Sequence, residues 1–200
     1  MDLIALIIAI SIAYLFGSLS SAIIVCKLMK LPDPRTQGSK NPGATNVLRL
    51  GGKKAAAVTL LGDVMKGVIP ILLAQWYGFS AIGLALVASA AFLGHLFPIF
   101  FRFEGGKGVA TLIGCLFALS LPVGLSWVIT WLFVTLLFRY SSLSSLIASL
   151  LAPVYLWFFT NNLSYVSIIT LMSLLLIYRH RSNIEKLLAG KENKLGKKKI

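Results

Sequence analysis

An apolar share of 58% over 200 residues, with a mean hydropathy of +0.87, exceeds what a water-soluble domain carries, which is usually about half apolar. The chain reads as an integral membrane protein, residues 1–200 forming one domain whose spans leave no room for a separate soluble part. Its net charge of +13 is assigned to loop orientation and anionic membrane lipids, so no nucleic-acid partner is expected.

The first apolar run, Leu3 to about Met29, has no charge before Lys27 and is long enough to cross a bilayer. Asp2 stands where a cleaved leader would carry Lys or Arg, so this run is expected to remain as the first span. Its second half contains GSLSSA, Gly17 to Ala22, a small-residue face suited to close helix packing. A polar segment follows, Asp33 to Arg49 (DPRTQGSKNPGATNVLR), and ends in Gly51, Gly52, Lys53 and Lys54. The second run, about Ala55 to Tyr77, contains Asp63 and Lys66, and the third, about Phe79 to Phe101, contains His95 and Pro98. Then comes a short turn, RFEGGKG, at Arg102 to Gly108.

Val109 to Phe138 is uncharged and broken by Pro122. As one helix its thirty residues would extend about 45 Å, against roughly 30 Å of hydrocarbon, so two spans hinged near Ser120 to Pro122 are predicted. The same argument divides Leu143 to Tyr178 at Asn161 and Asn162. The expected fold is all-α: a polytopic membrane protein with seven transmembrane helices and a basic tail from about residue 179. Placing the N-terminus outside puts residues 30–54, 102–108, 139–142 and 179–200 inside, and every Lys and Arg except Lys27 and Lys66 falls in those four segments. This positive-inside pattern puts the C-terminus in the cytoplasm, whereas five spans would place Arg139 outside.

The polar segment combines Gly38, Gly43, Pro34, Pro42, Asn41 and Asn46 with Arg35, Lys40 and Arg49. Small residues let backbone amides approach an oxyanion, and arginine binds phosphate bidentately, so the segment suits a phosphate-bearing ligand. A solvated basic loop obeying the positive-inside rule is the commoner fate of such a stretch, and the loop alone does not decide between the two. EGGKG resembles half a phosphate-binding loop, but GxxxxGK[ST] spacing and a preceding strand are both missing, so nucleotide hydrolysis is not supported. What remains is local: the amides of Gly105 and Gly106 and the ammonium of Lys107 precede a helix whose N-terminus favours anions.

Asp63 and Lys66, three apart on one helix face, form either a neutralised structural pair or a functional one. His95 is a third intramembrane polar group. In RHRSNI, His180 and Asn183 share a face if the helix continues, one able to transfer a proton and the other to donate from an amide. Ser142 and Ser145 fall on the same side of the membrane. The polar segment, the GGKG turn, the serines and RHRSN are all cytoplasmic by the charge rule, and one pocket is expected to gather them. Cys26 and Cys115 lie within apolar runs with no metal spacing, so neither a metal nor a cofactor is expected.

Three blocks carry a resemblance: GSLSSA with DPRTQGSKNPGATNVLR; GDVMKG with GHLFPIFFRFEGGKGVAT; and YRHRSNIEKLLAGKE. Together they resemble the bacterial acyl-phosphate:glycerol-3-phosphate acyltransferases (PlsY) over essentially the whole chain. That resemblance implies seven spans and a cytoplasmic-face active site in the bacterial inner membrane. It also implies transfer of a fatty acyl group from acyl phosphate to the 1-hydroxyl of glycerol 3-phosphate. By position, Ser39, Arg49, Lys107, His180 and Asn183 would surround the phosphates, with Gly43, Gly105 and Gly106 letting the backbone close in. Asn41, Thr45 and Asn46 would shape the first loop, and Ser142 and Ser145 would add hydroxyls. Asp63, Lys66 and His95 would support the site. The HxxxxD signature of other glycerolipid acyltransferases is missing, since Phe100 and Glu185 stand five residues after the histidines. The rival reading is a small transporter of an anionic solute, with Asp63, Lys66 and His95 marking its pathway.

Overall fold

The computed structural model describes residues 2–196, so Lys197, Lys198 and Lys199, which enter the charge argument, lie outside the described residues. Among the described residues every regular element is helical, as expected, in two compact units that divide between Leu119 and Ser120.

The first unit comprises α1 (Leu3–Gly17), α2 (Ser21–Leu28), α3 (Ala44–Tyr77), α4 (Ala81–Leu96), a 3₁₀ turn at Ile99–Phe101 and α5 (Val109–Leu119). Asp2 caps α1, its carboxylate accepting from the amides of Ile4 at 3.0 Å and Ala5 at 3.3 Å. The first apolar run is not one straight helix, because α1 and α2 bend by 41° across Ser18 to Ser20. There the Ser18 hydroxyl turns back to the Tyr14 carbonyl at 2.9 Å, and Lys66 Nζ donates to the Leu19 carbonyl at 3.0 Å. A carbonyl released from a helix inside a membrane needs such a donor.

The small-residue face works as expected. A side chain at Gly17 would run into the backbone of Ala91, and one at Gly94 into the Tyr14 carbonyl, so α1 and α4 meet backbone to backbone.

The polar segment is shorter than its composition suggests. Helix α3 already begins at Ala44 and is interrupted at Gly52, whose φ of 75° and ψ of −171° are not helical. This first part of α3 is seated by Val47, which is buried in a cluster with Ala22, Val25, Cys26 and Ala55 and with Leu31 packed against it.

The second unit comprises α6 (Leu121–Phe138), α7 (Ser141–Thr160), α8 (Leu163–Arg179) and α9 (Arg181–Leu188). Both predicted breaks are present. Pro122 sits in the first turn of α6, where a missing N–H is harmless. Asn161 takes a left-handed conformation, with φ 46°, and the Asn162 side chain accepts from the Tyr165 amide at 3.2 Å to cap α8.

Among the described residues four helical segments are long and apolar enough to cross a membrane by themselves (α3, α4 with the 3₁₀ turn that follows it, α6 and α7), or six if the pairs α1–α2 and α8–α9 each make one crossing. Helix α5, with 11 residues, is shorter than the hydrocarbon at about 1.5 Å per residue. Large apolar side chains such as Ile4, Leu61, Phe133 and Phe158 are exposed, as a surface solvated by lipid requires.

Candidate functional site

In the first unit the polar segment is organised by one side chain. Asn46 is buried; its Oδ1 accepts from the Ser39 amide at 2.9 Å, and its Nδ2 donates to the carbonyls of Pro34 at 2.9 Å and Gln37 at 3.0 Å. The loop thus curls around Asn46. Gly38 is needed beside it, at φ 65°, where a side chain would collide with that amide oxygen. Ser39, Thr45 and Arg49 are exposed, Asn41 is half-buried, and Gly43 is extended immediately before α3.

A second side chain ties this loop to the GGKG turn. Arg35 forks onto the Asp33 carboxylate, with Nη2 at 2.7 Å, and its Nη1 reaches Glu104 at 3.0 Å. The hydrogen bond from Arg35 holds the Asp33 carboxyl below its ordinary value, and the same bond raises Arg35. Sequence reasoning missed both acids. The signal was their scarcity: with six Asp and Glu against 19 Lys and Arg, an acid is worth asking what it holds.

The GGKG turn lies against the end of α4. The Gly106 amide donates to the His95 carbonyl at 3.1 Å, and Gly105 and Gly106 are both buried. Lys107 is half-buried, and Gly108, at φ 89°, leads directly into α5. Beneath the turn, Asp63 and Lys66 pair at 3.0 Å, with each side chain almost wholly buried, and Asp63 lies 3.7 Å from His95 Nδ1. The structure therefore brings Ser39 together with Asn46, and Gly106 with His95, Asp63 and Lys66.

The second unit holds Ser142, Ser145, His180 and Asn183. Helix α8 does not continue through His180, because α8 and α9 bend by 58° there. The face that His180 and Asn183 were expected to share is replaced by a corner, in which the Asn183 amide donates to the His180 carbonyl at 2.8 Å. His180 is buried and its Nδ1 lies 2.8 Å from the Leu176 carbonyl. A carbonyl only accepts, so the proton of this contact sits on Nδ1.

The two serines have different surroundings. Ser145 donates to the Ser141 carbonyl at 2.8 Å and accepts from Trp131 Nε1 at 3.1 Å, joining α6 to α7. Ser142 instead donates to Glu192 at 2.7 Å, and Asn183 Nδ2 donates to the same oxygen at 2.8 Å. Glu192 is a further residue that sequence reasoning left out, although it closes the YRHRSNIEKLLAGKE block.

Comparison with known proteins places these features in a family setting. A family model described as glycerol-3-phosphate acyltransferase matches residues 7–190. The chain is 55% identical over 189 residues to a glycerol-3-phosphate acyltransferase of Ruthia magnifica, covering 94% of this chain and 96% of that one. It is 56% identical over 191 residues to one of Methylococcus capsulatus, covering 96% of each. The crystal structure of PlsY (YgiH), an integral membrane glycerol 3-phosphate acyltransferase in its glycerol 3-phosphate form, superposes with a TM-score of 0.92 at 39% identity, covering 96% of each chain. The lysophosphatidic acid form of that enzyme gives 0.89 at 38% identity, with the same coverage.

Proposed function

This chain belongs to the glycerol-3-phosphate acyltransferase family, and from that premise we propose that it acylates the 1-hydroxyl of glycerol 3-phosphate with a fatty acyl group taken from acyl phosphate. The observation that carries the reading is the likeness over 96% of the chain to an enzyme whose structure holds a glycerol 3-phosphate form. The products are lysophosphatidate and inorganic phosphate.

Acyl phosphate is a mixed anhydride with a good leaving group, so no covalent acyl-enzyme is required. The hydroxyl oxygen attacks the acyl carbonyl, the bond to phosphate breaks, and the departing phosphate takes the hydroxyl proton. The protein has to bring two anions together, neutralise them and aim the hydroxyl. Ser39, Arg49, Lys107, Gly105 and Gly106 in the first unit are assigned to phosphate binding, as are His180 and Asn183 in the second. Ser142 adds a hydroxyl, and Asn41, Thr45, Asn46 and Gly43 give the first loop its shape. Glycerol 3-phosphate and acyl phosphate are the substrates, and membrane lipids are the surroundings.

In this reading the chain crosses the bacterial inner membrane seven times with α5 as a short crossing. Its N-terminus is outside, and the active site and C-terminus are cytoplasmic. The support is the charge distribution, in which every Lys and Arg except Lys27 and Lys66 falls in the segments assigned to the inside.

The test is phosphate release by the purified protein in detergent. Release only when acyl phosphate and glycerol 3-phosphate are both present is expected, and Arg49→Ala or Lys107→Ala should abolish it without loss of the folded protein. Solute uptake into vesicles with no such turnover would overturn the proposal in favour of a transporter.

A further inference from the structure

A membrane-buried charge is unfavourable by at least roughly 2.5 kcal/mol on insertion scales, so a fold that keeps one uses it. Asp63 and Lys66 could neutralise each other and stop there, since they pair within α3 at 3.0 Å. They do not stop there. Lys66 also donates to the Leu19 carbonyl at 3.0 Å, and Asp63 lies at an ion-pair distance, 3.7 Å, from Nδ1 of His95 on α4.

His95 lies in the last turn of α4, where carbonyls have lost their intrahelical donors. Its carbonyl is supplied with one from outside, the amide of Gly106 at 3.1 Å. Its ring is a second contact with the same residue. A side chain built on Gly106 would meet the His95 Nε2 and Cε1 atoms before any others. His95 therefore bears on the GGKG turn through both its backbone and its ring, and Asp63 faces the far edge of that ring. The next residue along the chain is Lys107.

We propose that His95, oriented by Asp63, is a positioning residue that fixes the GGKG turn so that Lys107 meets a substrate phosphate. The inference rests on the assignment of Lys107 to phosphate binding. It gives the buried charges a purpose that neutralisation alone does not. Asp63 anchors one edge of the imidazole, and the other edge sets where the turn can lie. Lys66 completes the arrangement by balancing Asp63 and tying it to the break between α1 and α2.

The experiment uses the purified full-length protein in detergent, with KM measured separately for glycerol 3-phosphate and acyl phosphate. His95→Ala is expected to raise KM for one of the two by about tenfold, because a displacement of the order of 1 Å in a positioned group has effects up to about a hundredfold. KM for the other substrate should stay within about twofold and the thermal midpoint close to that of the parent protein. Two partial replacements separate the ring's edges. His95→Gln carries an amide nitrogen out to the Nε2 position against Gly106, whereas His95→Asn keeps one near Nδ1 and vacates that contact. Gln is therefore expected to preserve KM better than Asn, and Asp63→Asn to resemble His95→Ala.

Unchanged KM values in His95→Ala, or equal losses in the Gln and Asn variants, would overturn the inference. A uniform fall in folded protein with parental KM in the surviving fraction would do the same. Lys107→Ala is measured alongside. If it is fully active, the phosphate-binding assignment itself fails; if it is inactive while every His95 variant is normal, only the positioning role fails.

Discussion

Ser142 and Asn183 donate to one and the same oxygen, Glu192 Oε1, at 2.7 and 2.8 Å. One donor stands at the start of α7 and the other on α9, so Glu192 sets their separation. The short stretch that carries Glu192 is itself fastened, with the Leu195 amide donating to the Arg139 carbonyl at 2.7 Å and Arg139 Nη2 donating back to the Leu195 carbonyl at 3.1 Å.

Glu192→Ala is accordingly expected to lower kcat/KM by about ten- to a hundredfold, the equivalent of losing hydrogen bonds to a charged group of roughly 1.5–3 kcal/mol. Glu192→Gln keeps the shape and one acceptor, so it should fall between the two. Phosphate-release kinetics on both variants provide the measurement, and parental kinetics in Glu192→Ala would show that Asn183 and Ser142 need no such anchor.

The first loop makes a similar prediction on a different scale. Asn46 meets three backbone groups from a buried position, so Asn46→Ala leaves them without partners at roughly 1–3 kcal/mol for each group that water does not reach. Asn46→Asp keeps the acceptor for Ser39 but turns a second acceptor toward the carbonyls of Pro34 and Gln37, and it should be the more damaging variant. A lower thermal midpoint in detergent, together with faster proteolysis between residues 33 and 43, is the expected outcome. A midpoint unchanged in both variants would mean that the loop holds its shape without Asn46.

Much of this arrangement was legible in the sequence, for reasons that individual residues make clear. Pro122 and the Asn161–Asn162 pair announced their breaks because their effects are local: one lacks an N–H and the other offers a side-chain cap. Gly17 was readable as a packing residue because only small side chains let membrane helices approach closely, whereas Gly94, which meets the Tyr14 carbonyl from α4, lies outside any small-residue run and was not singled out. The partners of Arg35 and Asn183 were not readable. Glu104 lies 69 residues from Arg35, and no local periodicity reports so distant a contact. The bend at His180 was hidden too, since RHRSN contains neither Gly nor Pro. Val47 shows the reverse error, in which a polar composition concealed an apolar side chain that is buried at the start of α3.

The Arg35 clasp carries a pH dependence whose sign follows from Asp33. Its carboxyl titrates below the ordinary aspartate value because Arg35 bonds to the ionised form. The stabilisation is therefore complete above the unfolded value of about 3.9 and is lost as pH falls through the lower folded one. Both side chains are partly exposed, so the contribution should stay within about 1 kcal/mol. Asp33→Asn is expected to lower the thermal midpoint slightly at neutral pH, with the difference from the parent protein closing in strong acid. A difference that instead widened on acidification would assign the effect to some other group.

Gly105 and Gly106 separate folding from function within two adjacent positions. A methyl at Gly105 would be driven into the backbone carbonyls of His95 and Leu96, which belong to the end of α4 and have nowhere to move. A methyl at Gly106 would meet chiefly the imidazole of His95, a side chain that can rotate away, with the Pro42 carbonyl somewhat farther off. Gly105→Ala should therefore act mainly on stability, by roughly 1–3 kcal/mol as overpacking usually does. Gly106→Ala should leave a folded protein whose KM for a phosphate substrate is raised, because displacing His95 shifts the turn ahead of Lys107. Thermal unfolding and steady-state kinetics on the two variants distinguish the cases. If both proved stable and equally active, the fit between the turn and the end of α4 would be looser than the backbone geometry requires.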